Sequence, residues 1–306
     1  MLVPKIDIHV HTTKYEGRFP SRIPGSPVCE TFVTPENLIK DFYSKLNIDH
    51  ALLLPLVSPE GQIANNSLRE IYSIVRDDPA HFSWFTNIDP RAWHNSTEND
   101  FAYMLNYYKD LGAKGVGEMT ANMPFDHPLV YALFKGCEET GMPFLFHMTL
   151  HNGGDYGLID ELGLPKLEKA LQDFPKLTFI GHSQAFWAHM SADIDAEGTA
   201  GYPTGKVVPG GRIEQLMDKY ENLYCDLSAG SGCNSIRRDL DYGYAFIEKY
   251  QDRVFYGTDI CSPSNITNNM LELASILDKG VESGKLSQQA YEKVSRKNAM
   301  KLLDLK

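Results

Sequence analysis

Close to its N-terminus the chain carries the run Lys5-Ile6-Asp7-Ile8-His9-Val10-His11. In a strand successive side chains alternate, so His9 and His11 share one face. Two imidazoles side by side at a strand end can grip one divalent cation. Other apolar runs close on acids and imidazoles of the same kind. Glu118 ends Lys114-Gly115-Val116-Gly117-Glu118, His147 ends Phe144-Leu145-Phe146-His147, and His182 ends Phe179-Ile180-Gly181-His182. Asp259 ends Phe255-Tyr256-Gly257-Thr258-Asp259. Imidazole and carboxylate together suit Zn²⁺, Mn²⁺ or Fe²⁺ better than the harder cations.

Each of these residues alone has an ordinary structural reading. A single His after an apolar strand, such as His147, is commonly a hydrogen-bonded structural residue. Glu118 could be a buried salt-bridge partner, and Asp259 could cap the following helix. Four such residues at four further strand ends, added to a His-x-His, are hard to ascribe to caps and satisfied cores. Together they read as one metal site.

For these positions to meet, the strand ends must converge. Short β-branched runs at 5–10, 50–54, 83–86, 114–118, 143–147, 177–181, 223–226 and 253–256 alternate with helical patterns. The helices are expected at 34–46, 68–77, 99–111, 128–140, 164–173, 212–220 and 242–250. Thr34-Pro35-Glu36 offers an N-cap followed by proline at the first helical position. Gly112 and Gly141 stand where helices would end in a left-handed residue. Eight strands, each followed by a helix, predict an α/β protein, a closed (β/α)8 TIM barrel spanning 1–306 as a single domain. In a barrel the C-terminal strand ends form one mouth. No G-x-G-x-x-G or P-loop argues for a nucleotide-binding open sheet.

Two connections at that mouth are long, 12–34 and 183–211. Long connections in a compact domain tend to be functional. The first holds Tyr15, Arg18, Phe19 and Arg22, and the second holds Trp187, His189 and Tyr202. Arg18 and Arg22 are candidates to clamp a substrate carboxylate, with solvated loop arginine as the plainer reading. His151, in the flexible His151-Asn152-Gly153-Gly154-Asp155, and Trp187 are the other candidate substrate contacts.

Bulk properties narrow the partners. The 306 residues carry a formal charge of −11, and no Lys/Arg cluster stands out. Nucleic acid and anionic membrane surfaces are therefore unexpected partners, and a small molecule is expected. Five cysteines with no Cys-x-x-Cys argue against a disulfide framework or zinc ribbon and fit a reducing cytoplasm. No signal peptide and no membrane span are expected.

The set of motifs resembles the amidohydrolase superfamily. The resemblance rests on Ile6-Asp7-Ile8-His9-Val10-His11, the strand-end His147 and His182, and Gly257-Thr258-Asp259. It extends through Phe174-Pro175-Lys176-Leu177-Thr178-Phe179-Ile180-Gly181-His182 and Asn222-Leu223-Tyr224-Cys225-Asp226-Leu227-Ser228 to Arg296-Lys297-Asn298-Ala299. The matching branch is that of metal-dependent TIM-barrel hydrolases, the amidohydrolase 2 type. It also contains aminocarboxymuconate-semialdehyde and resorcylate-type decarboxylases.

The resemblance implies that His9, His11, His147 and Asp259 coordinate a catalytic metal. It implies that His182 ligates a second metal or bonds the substrate, and that Asp259 takes a proton from the activated water. Glu118 either bridges two metals or hydrogen-bonds a ligand histidine from behind, so one or two metals per chain are expected, zinc first. Three functions follow. They are hydrolysis of an amide, ester or lactone by metal-activated water, non-oxidative decarboxylation of a small carboxylic acid, and, last, non-catalytic metal binding. The first is preferred, on the intact His9-x-His11 with Glu118. A homodimer fits the family.

Overall fold

The computed structural model describes residues 1–14, 32–60 and 66–305. Among the described residues eight parallel strands form the barrel: β1 Lys5–Val10, β2 Ile48–Leu53, β3 Phe82–Trp84, β4 Val116–Met119, β5 Phe144–Thr149, β6 Phe179–His182, β7 Leu223–Asp226 and β8 Val254–Phe255. Each pairs with its sequence neighbour, as expected where helical crossovers separate parallel strands. Ladder pairing runs β1-β2-β3 and β4-β5-β6-β7-β8. Backbone hydrogen bonds close both seams. Between β3 and β4, Lys114 N–H donates to Trp84 O and Thr86 N–H to Gly115 O, both at 2.9 Å. Between β8 and β1, Ile8 N–H donates to Tyr256 O at 3.2 Å and His11 N–H to Ile260 O at 2.9 Å. The chain is a (β/α)8 barrel. A further two-residue strand, Leu158–Ile159, pairs with the end of β5.

The helices follow local signals. Thr34 Oγ1 accepts from Asn37 N–H at 3.3 Å and starts the helix that runs through Leu46. Helices Leu68–Asp77 and Pro128–Thr140 have the expected bounds, and Gly141 ends the second with φ +67°. Among the described residues no helix is long and apolar enough to cross a membrane.

Inside the barrel Ile6, Ile8, Leu52, Leu54, Phe85, Leu145, Ile180 and Phe255 pack into one cluster, with Ala299 and Leu303 from the last helix against it. Simple alternation from Ile6 and Ile8 would send Val10 inward and turn His9 out. A bulge prevents this. Asp7 pairs with Ala51 but Val10 with Leu53, so β1 carries one extra residue between them. Val10 then joins the outer layer, and His9 and His11 face the mouth. A second bulge does the same in β4, where Val116 pairs with Phe144 but Met119 with Phe146. Val116 and Met119 both belong to the outer layer, and the extra residue aims Glu118 inward. Gly117 makes this possible. At φ +141°, a Cβ there would meet Leu145 O at 2.4 Å.

Candidate metal centre

Six residues meet at the mouth. His9, His11, Glu118, His147 and His182 are buried, and the Asp259 side chain is 28% exposed. His9 Nε2 and His11 Nε2 lie 3.1 Å apart. Glu118 stands between two pairs of imidazoles. Its Oε2 is 3.5 Å from His9 Nε2 and 3.2 Å from His11 Nε2. Its Oε1 is 2.8 Å from His147 Nδ1 and 3.7 Å from His182 Nε2. Asp259 Oδ1 lies 3.6 Å from His9 Nε2 and 3.3 Å from His11 Nε2. His147 and His182 are partners in the β5–β6 register, which puts their rings at one level.

Three of the imidazoles are fixed from behind. His9 Nδ1–H donates to Asp226 Oδ2 at 2.6 Å, and His11 Nδ1–H to Leu54 O at 2.8 Å. Ser228 Oγ–H donates to Asp226 Oδ2 at 2.7 Å, leaving Oγ to accept from His182 Nδ1 at 3.1 Å. With Nδ1 engaged in this way, each ring has Nε2 left to offer a cation once that nitrogen gives up any proton it carries. Asp226 was not among the candidate ligands. It ends β7, and the strand-end rule that singles out Glu118 and His182 points to it as well. It is fully buried, and its other oxygen accepts from Ser228 N–H at 2.8 Å. Gly257 lets these groups close up, because a Cβ there would come within 2.7 Å of Asp226 Oδ1.

Asp259 is held by its backbone. Asp259 N–H donates to His9 O at 2.8 Å, and Thr258 is tied to Asp7 through its amide at 2.9 Å and its hydroxyl at 2.6 Å. Asp259 itself sits at φ +61°, a left-handed conformation that Asp tolerates better than most residues.

Electrostatics agree with a cation site. Burial pushes the His11 pKa down, but the Asp259 and Glu118 carboxylates overcome it and raise it from 6.5 to about 9. His9 behaves alike: burial lowers it, and Asp226 above all raises it well past its ordinary value. Burial pushes Glu118 up, and hydrogen bonds from His11, His147 and His9 more than reverse this. Without a metal the cluster thus holds protons where carboxylates demand positive charge. A divalent cation meets the same demand, and the donors fit it. Two nitrogens each about 2.0–2.1 Å from a tetrahedral zinc are separated by about 3.3 Å, close to the separation of the His9 and His11 Nε2 atoms.

A cavity of about 250 Å³ opens above the cluster, lined also by Phe32, Tyr156, Gln184, Tyr202 and Met270. The residues of the long connections and the other candidate substrate contacts fare differently. Arg18, Arg22, Tyr15 and Phe19 lie outside the described residues. His151 is exposed and lines a smaller neighbouring cavity with His147, Thr149 and Asp155, and does not line the cavity above the cluster. Trp187, expected to touch substrate, is instead 2% exposed and packs on Phe186 and Phe246, and its Nε1–H donates to Asp226 O at 2.9 Å. It braces the strand end that orients His9. His189 is equally internal, with Nδ1–H donating to Ala185 O at 2.6 Å and Nε2 accepting from Gly163 N–H at 3.1 Å. Both follow from Gln184–Ala188 being a helix turned into the core.

Comparison with known proteins agrees with this architecture. The amidohydrolase family model matches residues 90–305, most of the chain, and the chain belongs to the amidohydrolase family. No curated protein matches the sequence. Among solved structures, the chain is similar to an uncharacterised TIM-barrel protein from Bordetella bronchiseptica (16% identity, 98% of each chain, TM-score 0.60). It is also similar to 5-carboxyvanillate decarboxylase from Sphingomonas paucimobilis (14%, 100% of each chain, 0.58). A third similar structure is an amidohydrolase from Burkholderia multivorans with bound zinc (13%, 99% of each chain, 0.62). At these identities the likeness is one of fold.

Proposed function

We propose that this protein is a metal-dependent hydrolase acting on an amide, ester or lactone bond of a small molecule. The observation that carries the proposal is the division of Glu118's two oxygens between two pairs of imidazoles. His9, His11 and Asp259 with Glu118 Oε2 would hold one divalent cation, and His147 and His182 with Oε1 a second. Zinc is proposed first, with manganese or iron as alternatives. When bound, such cations polarise a substrate carbonyl and lower the pKa of water beside it.

The chain's own residues supply the rest. Burial raises the Asp259 carboxyl, but the His11 hydrogen bond and the charge on His9 bring it below its ordinary range, so it is ionised at neutral pH. Its carboxylate faces the cavity and can take a proton from the attacking water. The water oxygen bonds to the acyl carbon. The carbon–nitrogen or carbon–oxygen bond then breaks with its electron pair leaving on the departing atom, and Asp259 returns the proton there. Asp226, Ser228 and Leu54 O hold the imidazoles in one tautomer throughout.

A second reading, non-oxidative decarboxylation of a small carboxylic acid, is favoured by the decarboxylase among the similar structures. Turnover of a lactone, ester and amide library in ¹⁸O-labelled water separates the two. A hydrolase places one labelled oxygen in the new carboxylate. Release of carbon dioxide from a carboxylic-acid library, with no turnover of the first set, would reverse the assignment.

A further inference from the structure

Tyr202 reaches the cavity from the long 183–211 connection, half exposed, with its hydroxyl end at the cavity wall. Gln184 Nε2–H donates to Tyr202 Oη at 3.4 Å, which uses a lone pair of the phenol. The phenol's own proton has no acceptor among the described residues. On the other side the ring lies against Gly230, at the start of helix Ala229–Arg237. A Cβ at Gly230 would come within 3.1 Å of Tyr202 Oη and 3.2 Å of Cε1, tighter than ordinary van der Waals contact. Tyr202, Gln184 and Gly230 all line the cavity beside Asp259. Burial first, and then the charge of Asp259, raise the phenol's pKa above its ordinary value of 10.0, so it stays a neutral donor.

A hydroxyl that accepts from Gln184 beside a glycine and keeps its own proton uncommitted can donate into the cavity. We propose that Tyr202 is a specificity residue whose O–H donates to an uncharged acceptor oxygen on the part of the substrate that projects from the metal centre. An ether, hydroxyl or carbonyl oxygen fits this role. The proposal rests on the metal-dependent reading above. It assigns Tyr202 to binding of the outer part of the substrate, with Asp259 keeping the proton transfer.

The test uses probes that a metal centre can anchor. Cyclohexanecarbohydroxamic acid and the tetrahydropyran-3- and 4-carbohydroxamic acids differ by one CH₂ replaced by an ether oxygen. Calorimetric titration of the zinc-loaded protein should show a tetrahydropyran compound binding roughly five-fold tighter than the cyclohexane compound, the worth of one neutral hydrogen bond. Tyr202→Phe should erase that preference and leave the cyclohexane affinity unchanged, which a loss of folding or of local packing would not do. Gly230→Ala should reduce the preference in the wild-type background and have no effect on it in Tyr202→Phe. Equal binding of the two ring types by the wild-type protein, or a preference that survives Tyr202→Phe, overturns the proposal alone. Failure of every hydroxamate to bind, with no zinc retained, overturns the metal-dependent reading and this proposal with it.

Discussion

Asp226→Asn isolates the contribution of a residue that touches no substrate. The carboxylate accepts from His9 Nδ1–H at 2.6 Å, Ser228 Oγ–H at 2.7 Å and Ser228 N–H at 2.8 Å, all in a fully buried position. An amide of the same shape can keep the Ser228 N–H bond through its remaining oxygen. Its NH₂ then faces the His9 ring, where two donors cannot pair. His9 relieves this by moving its proton from Nδ1 to Nε2, which removes the lone pair aimed at the centre. Losing such a supporting partner typically costs 10–100-fold in metal affinity, or about 1.4–2.8 kcal/mol. The buried donors left unpaired should also lower the stability of the metal-free protein by about 1–3 kcal/mol. Zinc affinity by chelator competition and urea unfolding of metal-free protein read the two effects separately. If Asp226→Asn bound zinc as tightly as wild type, the assignment of His9 Nε2 as a ligand through its Nδ1–H bond would be wrong.

Asp259→Asn should fold with little change in Tm and lose on the order of 100-fold or more in kcat, as expected for removal of a general base; near-normal turnover would exclude Asp259 from that role. Metal uptake should release protons. The Asp259 and Glu118 carboxylates push His11 up from 6.5 to about 9 in the metal-free site, so its proton should stabilise the metal-free fold fully below about 6.5, and that contribution should fade as pH rises through 9. Zinc competes with that proton, so affinity should climb from pH 6.5 to 9, and titrations at pH 7 in buffers of different ionisation enthalpy should show at least one proton released per zinc. No buffer dependence would contradict the protonated metal-free cluster. Gly117→Ala should destabilise by roughly 2 kcal/mol or more, because it adds a Cβ at φ +141° against Leu145 O; an unchanged unfolding midpoint would mean that the β4 bulge tolerates a side chain.

Much of this site is legible in the sequence because parallel barrels put chemistry at strand ends. Lys5–Val10 and Leu223–Asp226 have the expected bounds, and the other strands are displaced by a residue or two. Uniformly apolar strands carry no alternation to mark their limits. The spacing of His9 and His11 gives a shared face but not which face. That choice belongs to bulges in β1 and β4, which arise from pairing with β2 and β5 and leave no local signature except Gly117. Asp226 follows from the same strand-end rule that found Glu118 and His182. Trp187 shows the rule's limit. A large aromatic in a long connection reads as a substrate contact until a short helix turns it into the core.

The central claim is that Glu118 bridges two cations. Anomalous diffraction from crystals of metal-saturated protein tests it most directly. Two peaks roughly 3.5–4 Å apart, with one Glu118 oxygen about 2.0–2.2 Å from each, are the predicted result. A single peak near His9 and His11, with the Glu118 carboxylate more than about 3.5 Å from it, would contradict the two-metal account and shift the balance toward decarboxylation.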